Sequence, residues 1–110
     1  MTRLGEKRAP GVRQAGDYRL SKNADRDVID IYHFSVDYFG ESQAERYVAG
    51  LEEQLQMLAE HPLFGRDYGH VKPNIRRAEY KSHSIYYQTQ TRGIFILRIL
   101  HQRMDPVRWL

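Results

Sequence analysis

Seven positions in the C-terminal third carry side chains that could together cleave RNA without a metal: Arg77, Lys81, His83, a tyrosine at 86 or 87, Arg98, His101 and Arg103. That chemistry needs a base for the 2′-OH, an acid for the leaving 5′-oxygen and cations to hold the phosphorane. A histidine with an ordinary pKa near ~6.5 can act as acid or base. Arginine can hold a phosphate through two parallel hydrogen bonds. As a nuclease the chain would therefore use Arg77, His83, Tyr87, Arg98 and His101. Each also has an ordinary role to set against this. A strand tyrosine fills a core, His101 can close a strand-end network, and Arg98 can pair with a carboxylate or cover apolar surface with its stem.

The elements that must position these residues are legible in the pattern. From His83 to His101 the hydrophobic period is two, and two apolar runs flank a polar turn ending in Gly93, as in a β-hairpin. The second run, Ile94 to Leu100, is apolar everywhere but Arg98, so both of its faces should be covered. Ile75 to Lys81 reads as a preceding strand, with Ile75, Arg77, Glu79 and Lys81 on one side and Arg76, Ala78 and Tyr80 on the other. Together they make a three-stranded meander. A short alternating stretch at Asp17–Ser21 can add a strand at an edge.

Between that first strand and the meander the period is helical. Ser21 is a candidate N-cap, followed by a stripe of Ala24, Val28, Ile31, Ser35 and Tyr38 flanked by Tyr32 and Phe39, with Asp25, Arg26, Asp27 and Asp30 opposite. Gly40 ends the helix. Ser42 and Glu45 form an S-x-x-E capping box for a second helix, whose stripe is Ala44, Tyr47, Val48, Leu51, Leu55 and Leu58. Gly50 marks a close approach of the first helix, and His61-Pro62 stops the second. A loop follows, pinned by Phe64. Pro106 leads the tail into a short helix or a docked end. The order β-α-α-β-β-β predicts an α+β domain over 17–110, a helical hairpin packed on a small twisted, mostly antiparallel sheet. Residues 1–16, with Gly5, Pro10, Gly11 and Gly16 and no hydrophobic period, read as a disordered extension or tag.

The composition narrows the function classes. One hundred and ten residues allow one modest core. No apolar run nears the ~20 residues of a membrane span, so no membrane partner is expected and a cytoplasmic location is the simplest one. Without cysteine there is no disulfide, thiol nucleophile or Cys-based zinc site. The five histidines show no i, i+4 ligand pairing, and no lysine-bearing glycine loop is present, so neither metal nor cofactor is expected. Residues 71–110 hold eight Lys or Arg against Glu79 and Asp105, a net +6 that leaves −3 for residues 1–70. An anionic partner for the sheet half, or plain solvated surface, would account for this. Aromatic residues interleaved with basic ones from Arg76 to Tyr87 could stack nucleobases, but strands are rich in tyrosine for packing reasons. Direct sequence-specific nucleic-acid binding is not expected.

Several strings occur in a telling order: L-S-x-x-A-x-x-D at Leu20–Asp27, A-x-x-Y at Ala44–Tyr47, L-A-x-x-P-x-x-G-R at Leu58–Arg66, R-x-x-x-x-x-H-x-I-Y-Y from Arg77, and I-x-I-L-R-I-L-H-x-R-x-D from Ile94 to Asp105. Over about residues 17–106 the chain resembles the ParE toxins of the RelE/ParE superfamily, the toxin halves of type II toxin–antitoxin pairs. The resemblance implies the same sheet under a helical hairpin. It also implies inhibition of DNA gyrase by binding, with no catalytic residues, and neutralisation by a ParD-like antitoxin, a ribbon-helix-helix protein whose C-terminal segment wraps the toxin. The alternative within the superfamily is a RelE-like, ribosome-dependent mRNA endoribonuclease. Those ribonucleases bring several Lys and Arg from the second helix and the loop after it, where this chain has Glu52, Glu53, Gln54, Gln56 and Glu60, with Arg66 alone basic.

Two surfaces follow as expectations. The antitoxin is expected to use helix-in-groove and strand-addition modes on Tyr32, Tyr47, Arg76, Arg77, Tyr80 and Arg98. The target-facing surface is expected in a mobile tail at Arg103, Asp105, Arg108 and Trp109, where the tryptophan is either a binding anchor or docks on the core.

Overall fold

The computed structural model describes residues 16–110; the extension expected at 1–16 lies outside them except for Gly16. The elements are β1 (Tyr18–Leu20), α1 (Lys22–Phe39), α2 (Glu41–Glu60), β2 (Arg66–Asp67), β3 (Ile75–Tyr80), β4 (His83–Thr89), β5 (Ile94–His101) and α3 (Pro106–Trp109). The α+β order is the expected one with one small addition, β2, and the tail after Pro106 takes the short helix, α3. The sheet runs β1-β5-β4-β3-β2, with β1 parallel to β5 and the other pairs antiparallel.

The helical hairpin packs on one face, where Val28, Ile31, Leu51 and Leu55 meet Ile85 and Ile96. On the other face Ile75, Tyr86 and Leu100 lie under Tyr68, Leu97, Met104 and Leu110. Strand β5 therefore buries Ile96 and Ile99 on one side and Leu100 on the other. This double coverage is the reason its sequence barely alternates.

Ser21 caps α1, accepting from the Ala24 N–H at 2.9 Å, and donates to the Leu97 carbonyl at 2.7 Å, so the cap also joins the helix to the sheet. Gly40, at φ 89°, closes α1 and is at once the N-cap of α2. With a single residue between the helices, α2 begins at Glu41, and Ser42 lies inside it. The expected capping box does not form; Ser42 Oγ accepts from Arg46 instead.

Four further expectations are corrected. Tyr38 and Phe39 are 69% and 62% exposed, so the stripe of α1 stops being buried after Ser35. Asp27, read as a solvent-face residue, is buried. Phe64 is 64% exposed and does not pin its loop; the Tyr87 hydroxyl does, accepting from the Gly65 N–H at 2.9 Å and donating to the Pro62 carbonyl at 2.7 Å. Gly50 makes room for the Tyr80 hydroxyl on β3, not for α1.

Candidate functional site

Strand β1 ends opposite Ile96, and Leu97 is an extra residue in β5, since Tyr87 pairs with Ile96 and Tyr86 with Arg98. Such a bulge bends a strand and re-aims its side chains. Beyond it no strand among the described residues covers the outer edge of β5, and Asp27 of α1 takes that place. Its carboxylate accepts from the Ile99 backbone N–H at 2.9 Å and from Arg98 Nε and Nη2 at 2.9 and 2.8 Å. Arg98 Nη1 also donates to the Trp109 carbonyl at 2.9 Å. Bonding to Asp27 raises the guanidinium pKa above its ordinary value.

The same end of the molecule carries an open groove of about 850 Å³. One wall is α1, with Ile31, Phe34 and Phe39; Tyr47 stands on α2; the other side holds His83, His101, Met104 and Trp109. Phe34 is 57% exposed and stacks on Tyr38 at 4.4 Å between ring centroids. His83 and His101 face one another across β4 and β5 with their rings edge-on at 5.5 Å. Tyr47 Oη is 2.7 Å from His83 Nδ1, and His101 Nδ1 accepts from the Arg103 backbone N–H at 3.1 Å. Burial, reinforced by the neighbouring His101, lowers the His83 pKa to about 4, against a weaker upward pull from Asp27. The ring is therefore neutral at neutral pH, and the groove reads as an apolar and aromatic trough with a polar end.

The candidate residues divide. Tyr47, Arg98, His83, His101 and Trp109 line this groove, and Tyr80 stands behind it, donating to the Tyr47 carbonyl at 3.3 Å. Arg77 lies on the sheet face away from the helices, bonded to Glu79 at 2.7 Å and the Tyr68 hydroxyl at 2.9 Å and lying over the Tyr68 and Tyr86 rings. Tyr87 is fully buried on the helix side. Arg76 donates to the Gly65 carbonyl, and half-buried Tyr32 meets the adjacent His33 ring edge-on at 5.8 Å. In the tail, Asp105 caps α3 by accepting from the Val107 N–H at 3.0 Å; Arg103 and Arg108 are exposed, and Arg108 lies 6.0 Å from the Trp109 ring centroid. The tail is thus a one-turn helix tied to Arg98. Among the described residues no three His, Asp or Glu side chains are grouped so as to hold a metal ion.

Two residues of the site were missed in the sequence. Asp27 falls between Ala24 and Val28 on the buried stripe of α1, and that spacing was the available signal. Phe34 stands three residues after Ile31 and seven after Asp27, on the same edge of the stripe, so the same spacing carried a signal for it.

The family model for the ParE toxin of the type II toxin–antitoxin system parDE matches residues 18–106. The chain belongs to the ParE toxin family. Toxin ParE1 of Caulobacter vibrioides is 36% identical over 88 residues, covering 80% of this chain and 91% of the relative. Toxin ParE1 of Mycobacterium tuberculosis is 34% identical over 92 residues, covering 83% and 94%. A solved chain of a chromosomal ParDE system from P. aeruginosa aligns with a TM-score of 0.68 at 23% identity, covering 76% of this chain and 92% of that one, a likeness of fold. This ParE-family chain is accordingly a type II toxin, and Asp27, Arg98 and the two groove histidines fall within the matched span.

Proposed function

We propose that this toxin inhibits DNA gyrase by binding it, without catalysing a reaction, and that a ParD-like antitoxin neutralises it by laying an amphipathic segment in the groove between α1 and the end of β5. Family membership supports the gyrase target. The reading of binding over catalysis rests on one observation, the engagement of Arg98. Its Nε and Nη2 are committed to Asp27 and its Nη1 to the Trp109 carbonyl, so this groove cation is already paired with a carboxylate. Tyr87 and Arg77, the other members of the nuclease set, are turned to opposite faces of the sheet.

The groove suits a helix-in-groove partner. Exposed Phe34 and Phe39 offer apolar area to a partner's anchors, while Lys81 at the polar end can meet a carboxylate. The toxin acts in the cytoplasm, where gyrase is found. Purified toxin is expected to block supercoiling by gyrase or accumulate cleaved DNA in a defined mixture, and to leave ribosome-bound mRNA intact. Codon-specific cutting of that mRNA would establish the RelE-like reading in its place.

A further inference from the structure

Two non-glycine residues among those described have a positive φ, Asn74 at 64° and Lys81 at 51°. Asparagine takes the left-handed conformation readily; lysine, with its Cβ against the following carbonyl, does not. Lys81 opens the two-residue turn between Tyr80 and His83, where glycine or asparagine is the ordinary choice. Its side chain is held as well as its backbone. Nζ lies 5.5 Å from the Tyr80 ring centroid and 5.6 Å from that of Tyr47, and the two rings meet edge-on. Of the two Lys or Arg side chains that line the groove, Arg98 is paired with Asp27, whereas Lys81 has no carboxylate partner among the described residues. His101 adds a donor at the same end. Its Nδ1 accepts from the Arg103 N–H at 3.1 Å, so the ring carries its proton on Nε2. The α1 wall of the groove carries Asp30 instead.

We propose that Lys81 selects the antitoxin: its ammonium seats an Asp or Glu side chain on the antitoxin's amphipathic segment, beside the apolar residues laid against Phe34 and Phe39. This rests on the reading that a ParD-like antitoxin binds at this groove. A lysine held where glycine would be relaxed is explained by what its side chain does. The placement of charge gives the seat its selectivity. An acid on the segment meets a cation and an imidazole N–H at the sheet end, and is repelled by Asp30 along α1. Attraction at one end with repulsion along the other wall fixes register and rejects segments whose acid stands elsewhere. A nucleic-acid backbone fits this groove poorly, because its repeated phosphates would meet Asp30 and the aromatic wall with one unpaired lysine to receive them.

Lys81→Gly relaxes the turn and removes the charge together, so stability and binding should move in opposite directions. The full-length toxin and its Lys81→Gly, Lys81→Arg, Lys81→Glu and Phe34→Ser variants are titrated with a ParD-type antitoxin that binds the wild type, and the Tm of each is measured. Lys81→Gly is expected to bind at least about tenfold more weakly, with a Tm at or above that of the wild type. The deficit should shrink between about 50 mM and about 500 mM salt. Lys81→Arg, which keeps the charge, should bind nearly as the wild type does. Lys81→Glu should bind more weakly still, and recover when one Asp or Glu of the antitoxin is exchanged for Lys. Unchanged affinity of Lys81→Gly, or a Lys81→Glu deficit that no such exchange recovers, overturns the seat. The groove reading then stands if Phe34→Ser still weakens binding, and falls if it does not. A weakened and recoverable Lys81 series with Phe34→Ser unchanged keeps the seat and removes the segment from the α1 wall. A fall in Tm of more than a few degrees for Lys81→Gly overturns the seat, because the lysine is then holding Tyr47 and Tyr80 for the fold. Gyrase inhibition lost in Lys81→Gly at full antitoxin affinity overturns it too, and assigns the lysine to the target.

Discussion

Asp27 and Arg98, seventy-one residues apart, form a two-pronged ion pair with side chains only 11% and 17% exposed. Removing one member of a buried pair strands the other charge, at a cost of about 3 kcal/mol or more. Asp27→Ala also leaves the Ile99 N–H without its acceptor. We expect a large fall in Tm for Asp27→Ala, and for Asp27→Leu/Arg98→Leu a smaller loss than for either single change. Urea unfolding of the three variants measures the coupling; additive losses would show that the pair contributes nothing as a pair.

Glycine inside an exposed helix is worse than alanine by about 1 kcal/mol, so propensity alone says Gly50→Ala should stabilise α2. The contact says the opposite, since a Cβ at 50 overlaps the Tyr80 hydroxyl. Gly50→Ala is expected to destabilise, and Gly50→Ala/Tyr80→Phe to recover much of the loss by removing the offending oxygen. Thermal unfolding gives the sign directly.

How far the sequence foretold this molecule depends on which physical signal each residue carries. Period-two and period-3.6 patterns report which way a side chain points, so the meander, the helical hairpin, the Ser21 cap and the double-sided β5 were readable, whereas the parallel docking of β1 beside β5 was not. Periodicity does not report how far an element extends past its partner. Hence Tyr38, Phe39 and Phe64, large and apolar, were placed in a core they do not join. Charge misled in the other direction at Asp27, which is buried because Arg98 and the Ile99 N–H meet it there, a match made across most of the chain. The two-residue β2 has no signature of its own and exists because the loop returns beside β3. Of the site, Tyr47, Arg98, His83, His101 and Trp109 were named from the sequence; that they share one groove could not be.

His83 makes the fold sensitive to acid. Its folded pKa of about 4 lies below the ordinary ~6.5, so the unfolded chain binds the proton more tightly. Stability present above pH ~6.5 should fall as the pH drops towards 4, by about 1–2 kcal/mol once the partly solvated setting is allowed for. His83→Gln should flatten that part of the Tm-against-pH curve. An unchanged slope would assign the acid sensitivity elsewhere.

The Tyr87 hydroxyl serves the Gly65 N–H and the Pro62 carbonyl at once. Tyr87→Phe keeps the ring and leaves both groups without a partner, which costs about 1–3 kcal/mol. Amide exchange should quicken at Gly65 well before it does in β4.

Phe34 tests the groove. Exposed as it is, Phe34→Ser should change stability by no more than about 0.5 kcal/mol while weakening antitoxin binding by about tenfold. Titration calorimetry with a ParD-type antitoxin reads this, and undiminished affinity would move the antitoxin to another surface.

The parallel pairing of Tyr18–Leu20 with Ile94–Ile96 has a bearing on the protein's synthesis. Tyr18 leaves the ribosome seventy-six residues ahead of its partner Ile94, so this edge of the sheet cannot close until β5 has been made. Contacts so distant in the chain form late and slowly. A polypeptide that stops short of Ile94 thus has no mate for Tyr18–Leu20 and cannot complete the sheet on which the helical hairpin packs.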